Sequence, residues 1–249
     1  SAPRLERLVA RGPLLVHFFD LAQLNSIRAL PYVREWWERY AEAGLGVVGV
    51  HSPRYPFTRD AAAVAAALPG LGIEWPVAVD SRHAIWRDYG VKGWPSLFLW
   101  GRGGALRWYH LGEGEYRETE LVIREELSEK GNGGWPDPVA PLRASDEPGA
   151  KVVAPTGEIL PGRSAETPWE PEGDPIAADY EAGGVYAAAT GSGELRPSID
   201  GRELDPVAIE GPGLYELVAH PHSERHRLEL RGAGALAVHS LQFAPGVPA

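Results

Sequence analysis

The chain has 249 residues, enough for one or two domains, and 44% of them are hydrophobic, a fraction typical of globular proteins. Its net charge of −10 disfavours a general nucleic-acid or anionic-membrane binder, because neutralising phosphates needs a basic surface. The sequence contains no cysteine, which excludes thiol–disulfide exchange, thiolate zinc sites and disulfide staples within the chain. Since no apolar run reaches about 18 residues, we predict no membrane span in this chain.

Residues 1–135 alternate strand and helix patterns. Short apolar runs predict buried strands, and apolar residues that recur every three to four positions predict helices. In chain order, the predicted elements are a strand at 14–19, a helix at 26–43, a strand at 46–51, a helix at 60–68, a strand at 75–80, a helix at 83–89, a hairpin over 96–109 and a helix at 116–129. This order predicts an α/β domain with a central mixed sheet.

Proline and glycine are frequent in residues 136–174, which we interpret as a partly extended inter-domain segment. The residues that follow, 175–249, lack helical periodicity and alternate in short segments. The predicted strands are 184–189, 195–199, 214–218, 226–231 and 235–243, with predicted turns at 191–193, 200–201, 211–213 and 232–234. A strand about every ten residues is typical of a β-sandwich.

A recognisable pattern is carried by five segments: Phe18 to Val33, Val48 to Pro53, Trp75 to Asp80, Trp94-Pro95-Ser96, and Gly112-Glu113-Gly114. On these segments the first half resembles a thioredoxin-like domain of the TlpA-like type. With a further match over about 178–243, the whole chain resembles the soluble C-terminal portion of DipZ-type proteins, in which a small β-sandwich of carbohydrate-binding-module shape follows the thioredoxin-like domain.

This resemblance implies a fold and a location. We expect an α/β thioredoxin-like domain at 1–135, a linker at 136–174 and an all-β sandwich, jelly-roll-like, at 175–249. The family also implies a bacterial protein outside the cytoplasm, either membrane-associated or secreted.

The chain departs from this family at the redox site. In the family, a Cys-Xaa-Xaa-Cys motif opens the helix after the first strand, and its second cysteine lies five residues before a helix proline. Counting back from Pro31 places the motif at Gln23 to Ser26, so Gln23 and Ser26 replace both cysteines. A glutamine amide does not ionise, and a serine hydroxyl is a poor nucleophile without a base. Redox chemistry therefore does not carry over, and we assign no catalytic residue.

The resemblance also implies that Trp94-Pro95 is the family's cis-proline loop, whose edge pairs with an extended peptide in thioredoxin-like proteins. We therefore predict a redox-inactive module that needs no cofactor and binds an unidentified protein or peptide. The predicted binding residues are Leu24, Asn25, Trp94 and Pro95. One alternative is thiol–disulfide exchange with thiols that a partner supplies, and another is carbohydrate or cell-envelope binding through the β-sandwich.

Hydrolysis and sugar binding would each depend on individual side chains. Ser26 would be a hydrolytic nucleophile only with a base such as His51 nearby, and the simpler interpretation is that Ser26 or Asn25 caps the helix. Sugar binding needs exposed aromatic platforms. The aromatic residues after Trp169 lie in alternating strands, where a core role is simpler; they are Tyr180, Tyr186, Tyr215 and Phe243.

Histidines and acidic residues offer further candidate sites. We interpret His220-Pro221-His222, with His226 close behind, as a solvated hairpin tip and predict no metal site. His17 lies in the first predicted strand and is interpreted as a hydrogen-bonded core residue. The acidic run from Glu113 to Glu120 is interpreted as favourable charge at the start of the last helix.

Overall fold

The computed structural model describes residues 12–128 and 134–249; residues 1–11 of the predicted first domain and the predicted helix end at Glu129 lie outside the described residues. The chain divides into two compact units. The first comprises Ser1–Leu21, Asn25–Pro53 and Arg59–Pro141, and the second comprises Ala22–Leu24, Arg54–Thr58 and Leu142–Ala249. Among the described residues, no helix is long and apolar enough to cross a membrane.

The elements up to residue 128 follow the predicted order. They are β1 (Leu14–Phe19), α1 (Leu24–Tyr40), β2 (Gly46–His51), α2 (Ala61–Ala67), β3 (Val77–Val79), α3 (Ala84–Asp88), β4 (Ser96–Trp100), β5 (Leu106–Leu111) and α4 (Tyr116–Ser128). Two short 3-10 helices, Pro56–Arg59 and Pro69–Leu71, flank α2. Helix α1 begins two residues earlier than predicted and continues through Pro31.

Strand β1 lies at the centre of a five-stranded sheet with the order β3-β2-β1-β4-β5. Strand β2 pairs in parallel with β1 and β3, whereas β4 pairs antiparallel with β1 and β5. Every residue of β1 is buried, which explains why its sequence is a continuous apolar run rather than an alternation. This mixed sheet with its helices confirms the predicted thioredoxin-like α/β fold.

Alternate residues of β1 supply two hydrophobic clusters, because successive side chains of a strand point to opposite faces. Leu15 packs in one cluster with Trp36 of α1 and Ile123 of α4. Phe18 belongs to the other cluster, against which Trp86 of α3 packs. The sheet is therefore covered on both faces.

The second unit is antiparallel and all-β, as predicted. Its strands are β6 (Ile176–Ile199), β7 (Arg202–Glu203), β8 (Val207–Ile209) and β9 (Gly213–Ala244). Strand β6 pairs with each of the other three, and its residues 184–189 pair with two separate stretches of β9. The core includes Val185, Leu195, Leu228 and Val238, each fully buried. The turns predicted at 200–201 and 211–213 separate these strands as expected.

Two predicted turns were wrong, at 191–193 and 232–234. Both stretches lie inside long strands and face each other, with Gly193 opposite Gly234. A side chain at Gly193 would place its Cβ 2.2 Å from the carbonyl oxygen of Ala233, and Gly234 has a φ of +100°. These glycines therefore permit a close approach of two strands rather than a reversal of the chain.

The predicted linker at 136–174 is divided between the units. Residues up to Pro141 belong to the first unit, and those from Leu142 belong to the second. Within the second unit, single β-bridges join Val153, Ile159 and Trp169 to the end of the chain, at Gly246, Leu241 and Val238 respectively. Much of this segment is extended, as its proline content predicts, and it packs as part of the all-β unit.

Candidate functional site in the thioredoxin-like unit

One edge of the five-stranded sheet gathers several of the predicted site residues. Strand β1 ends at Phe19 opposite His51 of β2, and Phe18 lies opposite Ser96, the first residue of β4. The residues that follow β1 and β2 and precede β4 therefore share this edge. The Trp94–Pro95 peptide bond is cis, which confirms the predicted cis-proline loop.

Ser26 is held at this edge by β1. Its hydroxyl oxygen accepts the backbone N–H of Asp20 at 3.2 Å, and its side chain is fully buried. Through this hydrogen bond, Ser26 links α1 to the end of β1. A side chain with no exposed surface also cannot meet a substrate, so the geometry does not favour hydrolysis at Ser26.

His51, the base considered for Ser26, is buried and neutral. Burial lowers its pKa to about 4. Its Nε2 accepts the backbone N–H of Leu21 at 3.3 Å, so the ring proton is on Nδ1. The carboxylate of Asp20 lies 3.7 Å from the same Nε2, but a neutral ring makes this a contact rather than an ion pair. His51 thus supports the loop after β1.

Trp94 differs from these residues because its ring is partly exposed. Its indole N–H donates to the carbonyl oxygen of Ser52 at 2.8 Å. Its ring centroid is 4.4 Å from that of Trp86, and His83 lies 6.5 Å from Trp94. His83 and Trp86 are also partly exposed. We call these three rings the Trp94 surface.

Helix α3 positions two members of the Trp94 surface. The carboxylate of Asp80 accepts the backbone N–H groups of Ala84 and Trp86 at 2.7 and 2.8 Å, which caps the helix. His83 precedes the helix with a φ of +55°. Trp86 also packs edge-on against Phe18 of β1, at 6.3 Å between ring centroids. The surface is therefore fixed to the sheet.

The other predicted site residues differ from one another in exposure. Pro95 is buried and Leu24 is only 2% exposed, whereas Gln23 and Asn25 are partly exposed. Within the second unit, the backbone N–H of Leu24 donates to Oε1 of Gln242 at 2.7 Å. The side-chain amide of Gln242 donates in turn to the carbonyl oxygen of Ala22. Gln242 therefore accepts the N–H of Leu24 and donates to Ala22.

The all-β unit offers a limited platform for sugars. Tyr180 and Phe243 are buried, as a core role predicts, while Tyr186 and Tyr215 are partly exposed and hydrogen-bond to Glu216 and Gly211. A cleft of about 500 Å³ in this unit is lined by residues that include no aromatic ring: Arg196, Pro197, Ser198, Gly201, Glu203, Leu204, Pro206, Glu229 and Arg231. Its lining is charged rather than suited to stacking.

The histidine interpretations need two corrections. His220 and His222 lie inside the long strand β9, not at a hairpin tip. His17 is fully buried as predicted, but neither ring nitrogen has a hydrogen-bond partner among the described residues. Its ring stacks on Phe19 at 5.3 Å, and burial lowers its pKa to about 3. His17 is therefore a neutral, apolar-packed core residue.

Sequence reasoning missed His83, Trp86 and Gln242. Trp86 is one of three large apolar residues, with Ile85 and Tyr89, in or directly after a short helix, and the pattern alone does not place its ring against Trp94. The contacts of Gln242 join residues more than 200 positions apart in the chain, so no local pattern could reveal them.

No family model matches the chain. DipZ of Mycobacterium bovis and DipZ of Mycobacterium tuberculosis are each 31% identical over 189 residues, which cover 75% of this chain and 25% of the relative. Thiol-disulfide oxidoreductase YkuV of Bacillus subtilis is 27% identical over 124 residues, which cover 50% of this chain and 83% of YkuV. Among solved structures, a thioredoxin-like protein in its oxidized form covers 52% of this chain and 86% of its own, with 26% identity and a TM-score of 0.48.

The chain is homologous to DipZ and to thiol-disulfide oxidoreductases, and it contains no cysteine. It spans about a quarter of the length of the DipZ proteins that it matches. The predicted resemblance is thereby confirmed, together with the loss of both thiols from the chain.

Proposed function

We propose that the first unit is a thioredoxin-like binding module that holds a protein or peptide segment noncovalently and performs no thiol–disulfide exchange. The observation that carries this proposal is the replacement of both cysteine positions, by Gln23 and Ser26, while an aromatic surface stays partly exposed at the same sheet edge. YkuV is named for an exchange reaction that needs two thiols. Without them, only the recognition part of such a function can persist.

The Trp94 surface has the chemistry of a protein-binding site. Tryptophan is enriched among the residues that dominate binding energy, because it buries a large apolar area with little loss of side-chain entropy. Trp94 is already held by its bond to Ser52 and by contact with Trp86, so a partner meets a preformed ring. Preorganisation of this kind lowers the entropic cost of association.

Charges near the Trp94 surface favour one class of partner. The exposed charged residues adjacent in sequence are Arg82, Arg87, Asp88 and Lys92, three basic and one acidic. This balance is opposite in sign to the chain as a whole, which carries a net charge of −10. A segment with an apolar side chain next to a carboxylate fits both features, the ring face and the basic surroundings.

The proposal is tested with peptides selected from a phage-displayed random library on the immobilised full chain. We expect Trp94→Ala to weaken the binding of the selected peptides at least tenfold, or about 1.4 kcal/mol, and Trp94→Phe to weaken it less. Tyr109→Ala is the matched control, because Tyr109 is a 59% exposed aromatic residue of the same unit outside the Trp94 surface. Fluorescence polarisation with synthetic peptides measures the dissociation constants.

Two results contradict the proposal. The first is a library that yields no peptide bound above background. The second is a set of peptides that bind wild type and Trp94→Ala equally well, while circular dichroism shows both proteins folded.

A further inference from the structure

A cluster of three potential metal ligands lies on strand β9 of the all-β unit. The ligand atoms of His220, Glu224 and His226 all lie within 4.8 Å of one another. Nε2 of His226 is 3.0 Å from the Glu224 carboxylate, and Nδ1 of His220 is 3.8 Å from the same oxygen. The two imidazole rings stack with centroids 4.8 Å apart. Two imidazole nitrogens and one carboxylate oxygen therefore lie close enough together to be candidate ligands of one metal ion.

In each histidine, the second ring nitrogen, which is not part of the three-atom cluster, lies within hydrogen-bond distance of an oxygen atom. Nδ1 of His226 is 2.7 Å from the carboxylate of Asp200, and Nε2 of His220 is 2.8 Å from the hydroxyl of Tyr180. Histidines that bind metals characteristically donate their second ring N–H to a carboxylate or another oxygen, which fixes the ring and presents the other nitrogen to the metal. Each of the two histidines has such an oxygen at its second ring nitrogen.

The outer partners are themselves held in place. Asp200 sits at the tight turn after β6 with a φ of +52°, and its second carboxylate oxygen accepts the backbone N–H of Arg227 at 2.9 Å. Tyr180 lies opposite His226 in the pairing of β6 with β9. The supporting groups therefore come from two elements that the sheet itself positions.

We propose that His220, Glu224 and His226 form a binding site for a divalent transition metal, with Zn²⁺ as the preferred ion. Two imidazole nitrogens and one carboxylate oxygen are ligands of zinc, whereas Ca²⁺ and Mg²⁺ require mostly oxygen ligands. Glu224 and His226 are 34% and 23% exposed, so a water molecule can occupy a fourth position. Zinc–nitrogen bonds of about 2.1 Å at tetrahedral angles place two nitrogens about 3.4 Å apart, so binding from a spread of up to 4.8 Å needs a side-chain adjustment of about 1 to 1.5 Å.

The charges around the site agree with a cation. Two carboxylates, those of Glu224 and Asp200, lie 3.0 and 2.7 Å from the ring nitrogens of His226.

Isothermal titration of the metal-free full chain with ZnCl₂ tests this site, with visible absorption of bound Co²⁺ as a second readout. We expect one Zn²⁺ per chain. His226→Ala and Glu224→Gln remove ligands and are expected to weaken binding at least 100-fold and 10-fold, respectively. Asp200→Asn removes no ligand and is expected to weaken binding by about 10- to 100-fold.

The matched control is His110→Ala. His110 has a single carboxylate neighbour, Glu115 at 3.3 Å, and belongs to no three-ligand cluster among the described residues. Its replacement is expected to leave Zn²⁺ affinity unchanged, and circular dichroism checks that each variant is folded. Absence of stoichiometric Zn²⁺ binding, or equal binding by wild type and folded Glu224→Gln, overturns the proposal.

Discussion

Replacing Glu120 with alanine is expected to lower the free energy of unfolding of the first unit by about 3–5 kcal/mol. Glu120 is only 1% exposed, and its carboxylate is shared by donors from three parts of the unit. Tyr40 donates at 2.6 Å, Trp36 at 3.3 Å, Arg124 at 2.8 Å and the backbone N–H of Val139 at 2.8 Å. Removing the acceptor leaves these buried donors, one of them a charged guanidinium, without their partner.

Tryptophan fluorescence during denaturant unfolding measures this effect, because eight of the nine tryptophans precede residue 142. Glu125→Ala is the matched control: it lies on the same helix, is exposed, and is expected to change stability by less than about 0.5 kcal/mol. Glu120→Gln keeps the shape and is expected to cost less than Glu120→Ala. A Glu120→Ala variant as stable as Glu125→Ala contradicts the network described here.

Replacing His17 with leucine is expected to stabilise the first unit, and to do so more at low pH. The ring has no hydrogen-bond partner among the described residues, so its removal relieves a desolvation cost of about 1–3 kcal/mol. Burial lowers its pKa from 6.5 to about 3. Below pH 6.5 the unfolded chain therefore binds a proton that the folded chain excludes, and stability falls as pH falls.

At pH 5, protonation of His17 in the unfolded chain lowers the free energy of unfolding of wild type by about 2 kcal/mol, and the leucine variant has no such loss. The advantage of His17→Leu over wild type should therefore increase by that amount between pH 7 and pH 5. His17→Gln is the matched control, because it removes the titration but keeps a buried polar group. It should share the altered pH dependence without the gain at pH 7. If His17→Leu is more stable than wild type by the same amount at pH 7 and at pH 5, the interpretation of His17 as neutral and buried is wrong.

Much of the first unit could be predicted from its sequence because its signals are local. The continuous apolar run of β1 and the periodicity of α1 depend on neighbours a few residues away, and both elements lie within two residues of their predicted starts. Glu120 shows the limit. It lies in an acidic run that is typical of a solvated helix start, and only the packing of α4 against α1 buries it.

The second unit shows the same limit for glycine and histidine. Glycine at 193 and 234 predicts turns, but the two residues face each other in paired strands where no Cβ would fit. The segment from His220 to His226 contains a proline and polar residues, which also favour a turn. Its continuation within β9, where residues 224–226 pair with residues 180–182, brings Tyr180 next to the histidines, a relation that the sequence does not encode locally.

Insulin disulfide reduction by dithiothreitol tests most directly the claim that this thioredoxin-like unit performs no thiol–disulfide exchange. Dithiothreitol supplies external thiols, so the assay also covers exchange that relies on a partner's thiols. We expect wild type to match the buffer rate, and the double variant Gln23→Cys/Ser26→Cys to exceed it, because the family resemblance places the missing Cys-Xaa-Xaa-Cys motif at these positions. A wild-type rate above buffer that Ser26→Ala abolishes would contradict the account.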